Sequence, residues 1–235
     1  MQTQFPLLSP FFIKIWVALT GFFLCIFLII HLIGNSLLLL PPPTDTRLFN
    51  LYAATLSGNP FIKLVSYFLY LSIILHITLA AFITLKNRAL KVKKYEKSPQ
   101  SRWSSRNMGI LGSVILIFLI IHFKDFWYVY KFGDLGVDKW NSKDLYSVVR
   151  HAFESHWYVL FYCLAMLGLG FHLQHGSRAM VRTLGLTSKP MLNFIDKVSL
   201  VYTVVITTGF FIIPIVMYFS NWFFYIKQTM KTDQI

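Results

Sequence analysis

Five stretches of this chain run for about 20 residues or more with almost no charge, which is the length an α-helix needs to cross the hydrocarbon core of a bilayer. They cover approximately residues 12–38, 61–85, 108–128, 157–175 and 198–219. Lipid offers no hydrogen-bond partner to open backbone groups, so each stretch is expected to be helical along its whole length. The composition agrees: 56% of the 235 residues are hydrophobic, more apolar surface than a soluble core of that size can hide. The expected fold class is therefore an all-α membrane protein with five transmembrane helices, built as a single domain over 1–235. The first run is long enough for a full span, and it reads as a retained signal-anchor. Pro214 in the fifth run predicts a kink.

Charge sets the orientation. The net charge is +13, but the excess is gathered at helix ends, which is a topology signal and excludes a nucleic-acid partner. Lys86, Arg88, Lys91, Lys93, Lys94, Lys97, Arg102 and Arg106 lie between the second and third runs against the single acid Glu96. Arg178, Arg182 and Lys189 lie between the fourth and fifth, and Lys14 starts the first. The opposite connections are poorer in base, or mixed in sign. The N-terminus is thus expected in the cytoplasm and the C-terminus outside, with Lys227 and Lys231 as the minority evidence against. Residues 141–154 suggest a short surface helix before the fourth span. Trp103, Trp127, Trp157 and Trp222 fall where an interfacial aromatic belt would. Cys25 and Cys163 sit inside apolar runs without a CxxC or CxxCH pattern, and read as small core residues.

Histidines carry the functional argument. His31, His76, His122, His172 and His175 lie in or at the edge of spans, where ionisable side chains are rare and functional by default. One such histidine is as well explained by a bond to a neighbouring helix; four successive helices supplying one each are not. Depth sorts them. At 1.5 Å per residue, His31 stands roughly 25 Å beyond Lys14 and His122 roughly 24 Å beyond Arg106. His76 stands about 15 Å from Lys86, and His172 about 9–15 Å from Arg178 and Arg182. His31 and His122 are thus expected to meet near the outer side, and His76 and His172 near the inner side.

Two imidazoles facing one another from different helices make a bis-His iron site, and bundle cores are where helical proteins hold cofactors. A zinc site would want more ligands converging at one depth. The reading is two haems b, held by His31 with His122 and by His76 with His172, in a bundle of the first four helices. His175 lies one turn past His172 and is the alternative ligand. Its depth, only about 4–5 Å from Arg178, fits His76 less well, so it is placed at the interface near a propionate or a quinone. Arg106, Arg178 and Arg182 stand at the inner edge, suited either to haem propionates or simply to topology and lipid contact. Gly21, Gly34, Gly109, Gly112, Gly168, Gly170 and Gly176 accompany the histidines and leave room for close helices or a flat ring.

The segments ALTGFFLCIFLIIHLIGN around His31, LHITLAAFITLKNR around His76, SSRNMGILGSVILIFLIIHF up to His122 and WYVLFYCLAMLGLGFHLQHG around His172 resemble the single-chain, five-helix, dihaem cytochrome b subunit of succinate dehydrogenase and fumarate reductase. The resemblance covers nearly the whole chain. It implies a non-catalytic electron-transfer and quinone-reactive subunit in a bacterial inner membrane. It further implies a FAD-containing flavoprotein and an iron–sulfur subunit docked on the cytoplasmic side, two haems b, and a menaquinone-type quinone. Its FHxxxG motif favours His172 over His175 as ligand. One departure stands out. Some fumarate reductases of this class carry a glutamate within the fourth helix for moving protons, and here the acids fall outside the spans, Asp125 being nearest at the outer edge. The chain is therefore expected to lack a carboxylate proton relay.

Two other classes compete. The cytochrome b subunit of a formate dehydrogenase or hydrogenase shares bis-His haems, though one histidine on each of four successive helices fits it less well. A proton-coupled transporter would instead line a path with histidines.

Overall fold

The computed structural model describes residues 9–93, 107–186 and 188–232, with residues 10, 88–93 and 221–232 described by their backbone alone. Among the described residues the regular secondary structure is helical, with an isolated antiparallel bridge between Val137 and Lys143 in the loop before the fourth span. Five helices are long and apolar enough to cross a membrane.

The helices are α1 (Pro10–Ser36), followed by a 3-10 turn Leu37–Leu39, then α2 (Thr44–Gly58) and α3 (Pro60–Lys93). Helix α4 (Met108–His122) passes into a π-helical turn, Phe123–Tyr128, and a last α-turn, Val129–Phe132. There follow α5 (Leu145–Ala152), α6 (His156–Thr183) and α7 (Lys189–Thr232). The sequence dictates where several begin. Asn59 caps α3, its Oδ1 accepting from the N–H groups of Phe61 (2.9 Å) and Ile62 (3.3 Å), and Pro60 fills the first helical position, where no N–H is needed. Asp144 caps α5 by accepting from the Ser147 N–H and hydroxyl. Gly185, at φ +90°, ends α6 in a left-handed turn that a side chain would resist.

The spans outrun the apolar stretches seen in sequence. They cover Phe11–Leu39, Pro60–Asn87, Met108–Phe132, His156–Thr183 and Lys189–Ser220. Hydropathy marks only the part suited to hydrocarbon, whereas the helix continues through the polar interface. The expectation that carboxylates stay off these helices is corrected for the same reason: Asp125 lies in the π-turn of the third span and Asp196 in the fifth. Helix α7 runs through Pro214, which is fully buried. The surface helix expected within 141–154 is α5, and α2 was not foreseen.

Two compact units share the long helices. One comprises Met1–Leu28, Leu64–Leu116 and Gly168–Val204, the other Ile29–Lys63, Ile117–Leu167 and Val205–Ile235. In the first, the Tyr202 hydroxyl donates to the Cys25 carbonyl (2.9 Å), the hydroxyls of Ser177 and Ser199 bond, and Arg178 pairs with Asp196. In the second, Leu38, Phe49, Tyr146, Val149, Phe153, Tyr162, Ile213 and Met217 form a buried apolar cluster. Above it α2 and α5 are joined by polar bonds. Asn50, fully buried, donates to Asp138 and Asp144 (3.0 Å each) and accepts from the Tyr146 N–H (2.9 Å). The Tyr146 hydroxyl donates to buried Asp45 (2.7 Å). Elsewhere the apolar side chains face outward: at most 33% of any span's most apolar window is buried within the protein, as lipid contact requires.

Candidate functional site

In the second unit α1 presents His31 and α4 presents His122. Their rings meet at 90° with centres 5.7 Å apart. Phe118 stacks on His122 (5.5 Å), Phe126 from the π-turn lies 5.3 Å away, and Phe210 lies 5.6 Å from His31. The apolar walls leave the imidazoles few polar partners. The Asn35 amide nitrogen approaches both ring nitrogens of His31 at 3.4 Å while donating to the His31 carbonyl at 2.8 Å. His122 Nδ1 is 3.2 Å from the Tyr162 hydroxyl.

In the first unit α3 presents His76 and α6 presents His172, with ring centres 6.3 Å apart at 69°. His76 Nδ1 lies 3.2 Å from the Thr20 hydroxyl, whose own hydrogen goes to the Trp16 carbonyl at 2.7 Å. Thr20 therefore accepts, His76 carries its hydrogen on Nδ1, and Nε2 is left with a lone pair. An ideal Cβ on Gly21 would stand 3.2 Å from His76 Cε1, so the absent side chain lets this ring lie against α1. His172 Nδ1 is buried and has no hydrogen-bond partner among the described residues. An unmet buried nitrogen costs about 1–3 kcal/mol unless a ligand engages it.

A metal–imidazole bond is about 2 Å long, so two rings sharing one ion stand with centres about 6 Å apart. The separations of 5.7 and 6.3 Å meet that condition. Among the described residues no three His, Cys, Asp or Glu side chains converge on one point, so what each place brings together is two imidazoles.

The remaining expected residues divide. His175 is half-buried one turn beyond His172 on α6. The Arg178 guanidinium is engaged by Asp196, their side chains 23% and 28% exposed, so a propionate would have to compete with that carboxylate. Arg182 is exposed near the end of α6. Arg106 lies outside the described residues, as do Lys94, Glu96, Lys97, Arg102 and Trp103, and the Trp222, Lys227 and Lys231 side chains are likewise not described. His151 bonds Glu154 at 2.9 Å, and His156 opens α6 beside Trp157. Gly34 abuts Tyr52, whereas Gly112 and Gly176 face open space. Sequence reading missed Thr20, Tyr158, Tyr162 and Asp125 as partners of the pairs. The available signal was polar residues inside apolar runs, with Tyr158 and Tyr162 spaced i, i+4 on one helix face. Comparison with family models, with curated proteins and with solved structures finds no match for this chain.

Proposed function

We propose that this chain is the dihaem cytochrome b membrane anchor of a succinate:quinone oxidoreductase, passing electrons between an iron–sulfur partner and a membrane quinone. The observation that carries the reading is that four membrane-length helices supply four histidines that meet as two pairs, at 5.7 and 6.3 Å between ring centres. His31 and His122 hold one haem, His76 and His172 the other. Bound there, haem supplies one-electron transfer. The chain's own part is to fix the donors. Thr20 and Tyr162 hold the Nδ1 side of His76 and His122, and Phe118, Phe126 and Phe210 wall the His31–His122 pair with apolar rings. The quinone is of the menaquinone type, and a flavoprotein with its iron–sulfur subunit docks on the cytoplasmic face, where the basic connections fall in sequence.

The experiment is gentle purification of the tagged chain from its own membranes, with two readings. Covalent or tightly held flavin in the preparation, and reduction of its haem absorbance by succinate, support the anchor reading. Haem reduced by formate or hydrogen and not by succinate assigns the chain to the other redox class. A preparation with neither haem nor flavin points to a transporter.

A further inference from the structure

The polar partner of His122 is the start of a chain of hydrogen bonds whose direction is fixed. Tyr158 donates its hydroxyl hydrogen to Asp125 Oδ2 at 2.9 Å. A phenol has one hydrogen and a carboxylate only accepts. The Tyr158 oxygen, 3.2 Å from that of Tyr162, must therefore receive the Tyr162 hydrogen. Tyr162 then has none left for His122, so across the 3.2 Å contact the hydrogen comes from His122 Nδ1. A neutral imidazole so placed has its hydrogen on Nδ1 and a bare lone pair on Nε2.

We propose that Asp125, acting through Tyr158 and Tyr162, is a positioning residue that holds His122 in this tautomer and strengthens its Nε2 as a metal donor. The proposal rests on the dihaem reading. Four residues from α4, the π-turn that follows it and α6 are needed, and the local sequence supplies each. Tyr158 and Tyr162 stand one turn apart on α6, and Tyr162 is buried. Asp125 comes three residues after His122 but within the π-turn, whose wider winding departs from the ordinary helical spacing. The carboxylate also meets the Lys124 ammonium at 3.4 Å, so the chain of bonds ends on a pair of opposite charges. Among the described residues the other pair shows no such run of bonds to a carboxylate. His76 donates to Thr20, and that bond passes on to a helix carbonyl and not to a charge. A donor nitrogen whose ring N–H is drawn toward a carboxylate binds oxidised iron more strongly. The haem on His31 and His122 should thus be held at a more negative potential than those ligands alone would give.

The test is a redox titration of the purified complex, followed optically and by electron paramagnetic resonance of the oxidised haems. Tyr162→Phe and Asp125→Asn should each move the His31/His122 haem to a more positive potential and alter its low-spin signal, leaving the other haem unmoved. Asp125→Glu, which keeps an anionic acceptor, should titrate close to wild type. The double variant Tyr162→Phe/Asp125→Asn should shift no further than the larger single one, because both cut one chain. Should Asp125→Asn fail to fold, Tyr158→Phe cuts the same chain with the carboxylate in place, and it should produce the same shift. Unchanged potentials in a wild-type complex with two haems overturn this proposal and leave the dihaem reading standing. Additive shifts also overturn it, since Asp125 would then act by its field alone. A wild-type complex without two haems overturns the dihaem reading, and this proposal with it.

Discussion

The imidazoles of His31 and His122 meet edge to face, 5.7 Å between centres, enclosed by Phe118, Phe126, Phe210 and Tyr162. Two titratable rings this close in so apolar a place would repel one another if both were charged. A shared cation reverses that relationship, because each ring then offers a lone pair to the same charge. Aliphatic side chains would pack the same space without desolvating two nitrogens, which supports the proposal that the two rings act as a donor pair.

Close approach at Gly21 makes the second pair sensitive to a change on a helix that carries neither of its ligands. Gly21→Val places branched carbons where the His76 ring lies, 3.2 Å from an ideal Cβ. It should displace the ring and lower the content of the His76/His172 haem while sparing the other. Gly112→Ala, on a helix face with nothing within 4 Å, should leave both haems in place and gain up to about 1 kcal/mol of helix stability. Haem content and thermal melting in detergent check both.

Arg178 and Asp196 separate a structural role from a cofactor role. Removing one partner strands the other charge on a membrane-length helix. The loss should fall between the ~1 kcal/mol of an exposed pair and the ~3–5 kcal/mol of a buried one, given side chains 23% and 28% exposed. If the pairing is purely structural, Arg178→Ala lowers the melting temperature, and Arg178→Ala/Asp196→Ala regains much of it with both haem potentials unmoved. A potential shift at the His76/His172 haem that the double variant does not repair assigns Arg178 to a propionate instead.

The polar junction of α2 and α5 sets a window of pH. Burial, followed by the hydrogen bond to Asp45 and the charge of Asp45, pushes the Tyr146 phenol up to about 12. Its contribution is present below the ordinary value of about 10 and is lost as pH rises from there towards 12. Asp138 moves the other way. Burial alone would raise its carboxyl, but the Ser142 N–H, the Asn50 amide and the Trp140 N–H together hold it below the usual carboxylate range. Its contribution is present above about pH 4 and is lost as pH falls through the lowered value. The melting-temperature difference between wild type and Tyr146→Phe should shrink above pH 10, and that against Asp138→Asn should shrink in acid. Asn50→Ala, which orphans the Tyr146 N–H and removes two bonds to carboxylates, should destabilise at every pH by at least about 1–3 kcal/mol.

Hydropathy and histidine spacing made much of this legible in advance. The five spans were placed because apolar runs of membrane length admit no other structure, and the grouping of His31 with His122 and of His76 with His172 followed from counting residues to the nearest basic anchor. What the sequence did not show has physical causes. Helix ends in the interface are polar, so counting apolar residues left Asp196 short of the fifth span and put Asp125 at the outer edge of the third. The π-turn after His122 has no compositional mark. Thr20 and Tyr162 look like ordinary residues of apolar spans until the fold sets them against a histidine 56 or 40 residues away. Helix α2, at 15 residues, is too short to read as a span, and its anchoring depends on Asn50 and Asp45 meeting partners from 138–146.

The central claim is that two histidine pairs hold two haems, and the most direct measurement is haem b per polypeptide by the pyridine haemochrome method on wild type and single-histidine variants. Two haems in wild type, both six-coordinate and low-spin, are expected. One should remain in His31→Ala or His122→Ala, the other alone in His76→Ala or His172→Ala, and both in His175→Ala. A wild-type chain that purifies folded with no haem contradicts the account. A His175→Ala variant that loses a haem which His172→Ala retains contradicts its assignment of ligands on α6.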